Sequence, residues 1–300
     1  MSPADTAGRK HRLQADLALL LTSLIWGSAF VVQRLAAMEA GVFLFNGLRF
    51  LLAALAVLPL ARLPIFGPRA IKPPQKKELL GVLLLGLMLW GGAGFQQAGL
   101  RLTTAGNAGF ITGLYVVFIP LILALGLRRT PRPVVWLAAL LAAVGLFLLS
   151  TGGQMRVNPG DLLELVCAVF WACHLVLIGE LVRRVDMRVV VIGQYLVCGT
   201  FSTATGVFLE PDVWPALLQN WWTVAYTGLL SVGLGYTLQA LAQRYAPPAD
   251  AAIILSVEAA FAAAFGWLFL GEVLNGWQLL GCGVMLAGML IAQADILQKG

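Results

Sequence analysis

Asp16-Leu17-Ala18-Leu19-Leu20, followed by Ile25-Trp26-Gly27, is met again 145 residues later as Asp161-Leu162-Leu163-Glu164-Leu165 and Phe170-Trp171-Ala172. Each stretch opens a run of about 20 apolar residues, enough to cross ~30 Å of hydrocarbon at 1.5 Å per residue. Further along, Gly94-Phe95 is echoed by Gly235-Tyr236, and Trp136 through Gly145 by Trp277 through Gly288. The recurrence predicts a chain of two related halves, residues 1–150 and 151–300.

The composition fits no water-facing surface. Of 300 residues 60% are hydrophobic and only 11% are charged, with a mean hydropathy of +0.87. A globular chain carries about a quarter charged residues, so the solvent is read as a lipid bilayer. Runs bounded by charges, Pro or Gly predict an all-α fold with ten spans: 15–34, 41–61, 79–99, 104–127, 133–150, 160–180, 189–209, 221–243, 248–270 and 276–294. The first run follows Arg9, Lys10, His11 and Arg12, but it is longer than a signal-peptide core and lacks a small-residue cleavage site, so it is read as the first span.

Placing the N-terminus in the cytoplasm puts sixteen of the twenty Lys and Arg residues in inside segments. Arg34, Arg101 and Arg156 then lie outside, and Arg49 falls within the second span. The asymmetry satisfies the positive-inside rule and predicts both termini on the cytoplasmic side. Five spans per half is an odd number, so the second half enters the membrane from the opposite side. Inverted repeats of this kind belong to carriers that alternate between inward-open and outward-open states around a midplane site.

Polar groups inside the spans are the candidates for that site, because hydrocarbon offers them no partner. Trp26 and Trp171 each sit ten residues past an aspartate, about 15 Å deep, and are read as facing walls of a cavity. Glu258, ten residues past Pro248, reaches the same depth, where it either binds a substrate ammonium or carries a proton. His174 is the second candidate for proton coupling. Trp90, Gln96, Asn107, Tyr115, Tyr236 and Gln239 complete the expected cavity, while Arg49 is read as a structural or gating cation.

Several chemistries are excluded by what is missing. The sequence holds no P-loop, no GxSxG, no HExxH and no paired-aspartate protease motif, so neither ATP-driven pumping nor hydrolysis has residues to perform it. Cys167, Cys173, Cys198 and Cys282 lie in apolar segments without CxxC spacing and are read as packing residues rather than a disulfide or metal framework. No cofactor is expected. The net charge of +6 is dispersed between apolar runs rather than gathered beside exposed aromatics, so no nucleic-acid partner is expected either. One inverted-repeat chain can enclose a cavity, so a monomer suffices.

Four pieces, in order, carry a family resemblance: Leu24-Ile25-Trp26-Gly27-Ser28-Ala29-Phe30; Leu48-Arg49-Phe50; Thr104-Ala105-Gly106-Asn107-Ala108-Gly109-Phe110-Ile111; and Leu270-Gly271-Glu272 with Gln278-Leu279-Leu280-Gly281. With their spacing among ten spans, they resemble the EamA-type carriers of the drug/metabolite transporter (DMT) superfamily. The resemblance implies a ten-helix inverted repeat around a cavity lined chiefly by helices three, four, eight and nine, exporting small metabolites across the inner membrane without ATP. The first half departs from the pattern, with Arg128-Arg129 where the second has Gly271-Glu272. Within the family the chain is most similar to YddG-type amino-acid exporters. A cavity of tryptophans, tyrosines and one acid would suit neutral or aromatic amino acids; the alternative substrate is a lipophilic cationic drug.

Overall fold

The computed structural model describes residues 3–66, 74–151 and 159–299, and all regular structure among them is helical. Arg69, Lys72 and Arg156, counted above as loop cations, lie outside the described residues. In lipid each backbone N–H and C=O must be satisfied within its own segment, so apolar runs of this length fold as helices. The elements are α1 (Pro3–Glu39), α2 (Val42–Leu60), α3 (Lys76–Gly99), α4 (Ala105–Gly113), α5 (Tyr115–Leu121), α6 (Pro133–Thr151) and α7 (Pro159–Leu181). There follow α8 (Met187–Leu209), α9 (Trp214–Gln219), α10 (Trp221–Tyr226), α11 (Thr237–Ala242), α12 (Pro248–Leu255), α13 (Glu258–Leu270) and α14 (Gly276–Lys299).

The ten spans read from the sequence are found only in part. Seven helical stretches are long and apolar enough to cross a membrane, and Pro133–Leu149 and Gly276–Ala292 are shorter apolar helices. The remaining expected span, 221–243, is divided: α10 gives way to a ten-residue π-helix, Thr227–Tyr236, before α11 resumes. Two further spans are continuous in hydropathy but broken in the backbone. α4 ends at Gly113 and α5 begins at Tyr115, while α12 ends at Leu255 and α13 begins at Glu258. Both breaks are made by tightened turns, with Leu114 N–H bonded to Ile111 O (3.1 Å) and Val257 N–H to Ile254 O (3.2 Å). Hydropathy averages over such local changes of winding, which is why the sequence did not reveal them.

Helix starts follow local chemistry. Thr104 caps α4 by accepting the Asn107 N–H, Gln75 and Glu78 form a capping box at α3, and Asp186 accepts the Arg188 N–H at α8. Gly271, at φ +68°, ends α13 in the left-handed conformation that glycine adopts without a Cβ penalty. α2 has no cap of its own; Glu210, from the end of α8, accepts the N–H groups of Val42, Phe43 and Leu44 at 2.7–3.2 Å.

Packing ties early helices to late ones. α2 crosses α8 antiparallel, with Leu44 against Gly206, Gly47 against Thr203 and Leu51 against Gly199. α6 and α14 approach so closely that a Cβ on Gly145 would stand 2.5 Å from the Gly281 carbonyl. α3 lies between α7 and α8, and α1 lies along α12 and α13, where Ser23 donates to the Ile254 carbonyl (3.0 Å). One end of the bundle is basic, and there Arg12 bridges Asp16 and Asp250 while Arg132 also reaches Asp250 (2.9 Å). At the far end stand Glu39, Arg101, Glu210 and Glu272.

Candidate functional site

The two broken helices meet at their breaks. Tyr115 and Glu258 are each the first residue after the break, each ten positions into its span, and the Tyr115 hydroxyl donates to Glu258 Oε1 at 2.9 Å. Both side chains are buried. They form one wall of a central cavity completed by Trp26, Phe30 and Gln33 of α1, Arg49 of α2, Gln96 of α3, Thr112 of α4, Trp171, His174 and Leu175 of α7, Ser231 and Tyr236 of the π-helix, and Gln239 of α11.

Eight of the ten residues expected at the cavity are thus brought together, and Arg49 joins them. Trp90 and Asn107 are not. Trp90 faces a second cavity, of about 380 Å³, with Phe43, Phe95, Leu163, Arg101 and Glu210. Asn107 sits half-buried in the first turn of α4, two turns short of the cavity. A lining chiefly of helices three, four, eight and nine is also too narrow a description, because α1, α2 and α7 supply the aromatic and cationic walls.

The aromatic wall is continuous. Tyr236 packs against Trp26 (ring centroids 4.7 Å apart), Trp171 (5.9 Å) and the edge of His174 (5.9 Å). Trp26 is held by a bond from Nε1 to the Ser231 carbonyl, 3.0 Å, inside the π-helix. A π-turn offsets successive carbonyls from the regular helical register, which is how a backbone oxygen reaches a side chain on a neighbouring helix. His174 Nε2 pairs with Gln194 Oε1 at 2.8 Å, so the imidazole is a fixed edge of this wall.

The polar groups are less evenly met. Arg49 is buried, yet its one side-chain partner is neutral: Nη1 donates to Gln33 Oε1 at 2.6 Å. The guanidinium stands over the Phe45 and Phe50 rings at 5.2 and 5.3 Å, and its Nε–H has no acceptor. Trp171 Nε1 and Gln239 Oε1 likewise have no nitrogen or oxygen partner. Buried polar atoms are ordinarily paired, so unmet groups converging on one cavity describe a place for a polar guest. The free space is about 30 Å³, room for one or two waters. No group of three or more metal-ligating side chains occurs among the described residues.

Sequence reasoning missed Gln33 and Ser231 as cavity residues, and it passed over Glu164, which is fully buried outside the cavity lining, behind Thr112. Thr112 accepts from Gln96 Nε2 (3.4 Å) and donates to Glu164 Oε2 (3.0 Å). Glu164 stood in the opening repeat as an acid inside a span, and its partner at the 145-residue offset is Leu19; that mismatch was the available signal.

Comparison with known proteins bears on this arrangement. Residues 13–151 and 158–293 match the model of the EamA-like transporter family. An uncharacterized transporter of Archaeoglobus fulgidus is 32% identical over 289 residues, covering 95% of this chain and 87% of that protein. The threonine/homoserine exporter RhtA of Escherichia coli K12 is 30% identical over 179 residues, 57% of this chain and 58% of that protein. The uncharacterized inner membrane transporter YedA of the same strain is 24% identical over 277 residues, covering 91% and 89%. One solved crystal structure superposes with a TM-score of 0.76 at 20% identity, covering 95% of this chain and 98% of that one, a likeness of fold.

Proposed function

The chain belongs to the EamA-like transporter family of multi-pass membrane proteins, and on that premise we propose that it exports amino acids with neutral or aromatic side chains across the inner membrane. The observation that carries the reading is that one cavity holds both a buried guanidinium without a carboxylate partner and a buried carboxyl held only by a phenol. A zwitterion supplies both missing partners. Its carboxylate would take the Arg49 N–H groups, its ammonium would meet Glu258, and an apolar or aromatic side chain would lie against Trp26, Trp171 and Tyr236. Partial identity to a threonine/homoserine exporter supports the same class. A lipophilic cation would satisfy Glu258 and the rings, but it would share the cavity with Arg49, and like charges in a low-dielectric site repel. Arg49 is therefore read as a ligand rather than a gating cation.

The transport cycle follows from the repeat. The family match falls in two consecutive stretches, and the contacts between α2 and α8 and between α6 and α14 support a reading of two inverted halves that pair their second spans and their last. We read ten spans, with the broken and π-wound segments counted, halves at 1–150 and 151–300, and the basic end with both termini in the cytoplasm. The present cavity is smaller than an amino acid, so it must widen to load one. One chain supplies every wall, so a monomer is sufficient.

Counterflow of labelled amino acids into liposomes bearing the purified protein tests this. Saturable exchange of a neutral or aromatic amino acid, lost in Glu258→Gln, is expected. Absence of exchange for every amino acid, with exchange of a lipophilic cation instead, overturns it.

A further inference from the structure

Resting on the exporter reading, we propose that Glu164 is a proton-binding site on the far side of the cavity, through which a proton from the outside reaches Glu258 and drives substrate out. Glu164 is 0% exposed. Its Oε2 accepts from the Thr112 hydroxyl at 3.0 Å, and its Oε1 has no nitrogen or oxygen partner. Thr112 itself lines the substrate cavity, one turn from Tyr115. One turn in the other direction along α7 stands Asp161, which accepts from Thr103 at 2.9 Å in the first turn of the helix. A file of exchangeable groups thus runs Asp161, Glu164, Thr112, cavity, Glu258, with Tyr115 already bonded to the last.

The groups facing Glu164 leave it free to gain and lose a proton. On α3 stands Gly99, on α4 Thr112, whose hydroxyl also accepts from the Gln96 amide, and on α7 itself Cys167 and Asp161. Among the described residues none of these is a cation that would lock the Glu164 carboxyl as an ion pair; Arg101, beyond the end of α3, is exposed. Asp16 and Asp250 at the basic end differ from Glu164 in this: both are tied to Arg12, and Asp250 also to Arg132. The repeat makes the contrast sharper. Leu19, the counterpart of Glu164 in the first half, is apolar and fully buried, so the file exists on one side only.

In the transfer step, protonated Glu164 becomes the donor in its bond to Thr112, whose hydroxyl turns to a cavity water; Thr112 then takes the Glu164 proton on its oxygen and gives up its own hydroxyl hydrogen to that water. The water passes a proton to the Glu258 carboxylate, which then releases the substrate ammonium. The negative charge moves from Glu258 to Glu164, which is reprotonated by way of Asp161. When the cavity opens to the basic end, Glu258 returns the proton there and takes the next ammonium. One proton enters for each substrate exported.

The test compares two modes in the same liposomes, with the membrane potential clamped. Counterflow needs no proton movement, whereas accumulation against a gradient does. A lumen one pH unit more acidic than the bath supports about tenfold accumulation at one proton per substrate, through molecules inserted with the far end inward. Expected are wild-type accumulation, and Glu164→Gln counterflow within about twofold of wild type with accumulation reduced to the equilibrium ratio. Thr112→Val, which keeps the shape and removes the relay, should slow accumulation at least tenfold and serves where Glu164→Gln does not fold. Undiminished accumulation in both variants overturns the proposal, as does wild-type counterflow without accumulation, or equal loss of both modes in a folded Glu164→Gln. Wild-type protein that shows no counterflow overturns the exporter reading instead.

Discussion

Arg49 and Glu258 can be assigned to the two ends of the substrate by crossing variants with analogues. A hydrogen bond to a charged group contributes about 1.5–3 kcal/mol, which is roughly 10- to 150-fold in affinity. Arg49→Met should lower affinity for the amino acid by that factor and leave its methyl ester, which has no carboxylate, within about twofold. Glu258→Gln should weaken both the amino acid and the ester, and leave the deaminated acid unchanged. Folding is not expected to confuse the result. Arg49 has one neutral partner, at 2.6 Å, and two ring faces, so methionine fills the stem and removes a buried cation that has no counterion. The assay is direct binding of each analogue to the purified variants by isothermal titration, which needs no transport, with thermal unfolding followed by tryptophan fluorescence as the control. Equal weakening of amino acid and ester by Arg49→Met would refute the assignment, as would no weakening of either.

Three further outcomes follow from packing and capping. Gly145→Ala forces a Cβ to 2.5 Å from the Gly281 carbonyl and should lower stability by about 1–3 kcal/mol with substrate KM unchanged, whereas Gly235→Ala, whose Cβ would stand 2.5 Å from Trp26 Nε1, should raise KM; thermal melts and counterflow separate the two. Glu210→Ala removes the acceptor for three N–H groups of α2 and its favourable place at a helix N-terminus, costing about 2 kcal/mol by the same melts. Asp186, in the turn between α7 and α8, has its carboxyl held below the ordinary 3.8 chiefly by the bond from Arg188. A lowered folded value means that the unfolded chain binds more protons, so the stabilisation is complete above pH 3.8 and lost as pH falls through the lowered value. Wild type should therefore exceed Asp186→Asn in melting temperature near neutrality, with the gap closing on acidification.

What could be read from the sequence was set by the physics of each feature. Membrane burial of a polar side chain is costly enough to be visible one residue at a time, so Glu258, His174, Gln239 and Gln96 stood out in the sequence, and all four line the central cavity. Trp26 and Trp171 were found by recurrence. Trp90 and Asn107 lie away from that cavity: a polar or aromatic residue on a span faces a neighbouring helix, a side cavity or a helix end as readily as the centre, and hydropathy does not distinguish these. Ser231 was invisible for another reason: it contributes a backbone carbonyl, and only the π-winding of 227–236 aims that carbonyl at Trp26.

The breaks at 114 and at 256–257 explain most about how the site is made. An unbroken α-helix keeps its carbonyls to itself, so a cavity between straight helices would have side chains alone to work with. Tightening the turn before Tyr115 and before Glu258 places these two residues at the start of new helical segments, and discontinuous spans mark binding sites in carriers for this reason. Counting from the start of each span, both breaks end ten residues in, so the same device stands at the same point along both spans. One span fills the position with a phenol and the other with a carboxyl, and the 2.9 Å bond between them joins the two at the cavity wall. Tyr115→Phe should therefore weaken ammonium binding as well as the contact between these spans, because it takes from Glu258 the one side-chain donor that fixes its direction. Rescue of substrate affinity by Tyr115→His, which restores a donor, with no rescue by Tyr115→Leu, would separate that orienting role from simple packing; equal loss in all three would refute it.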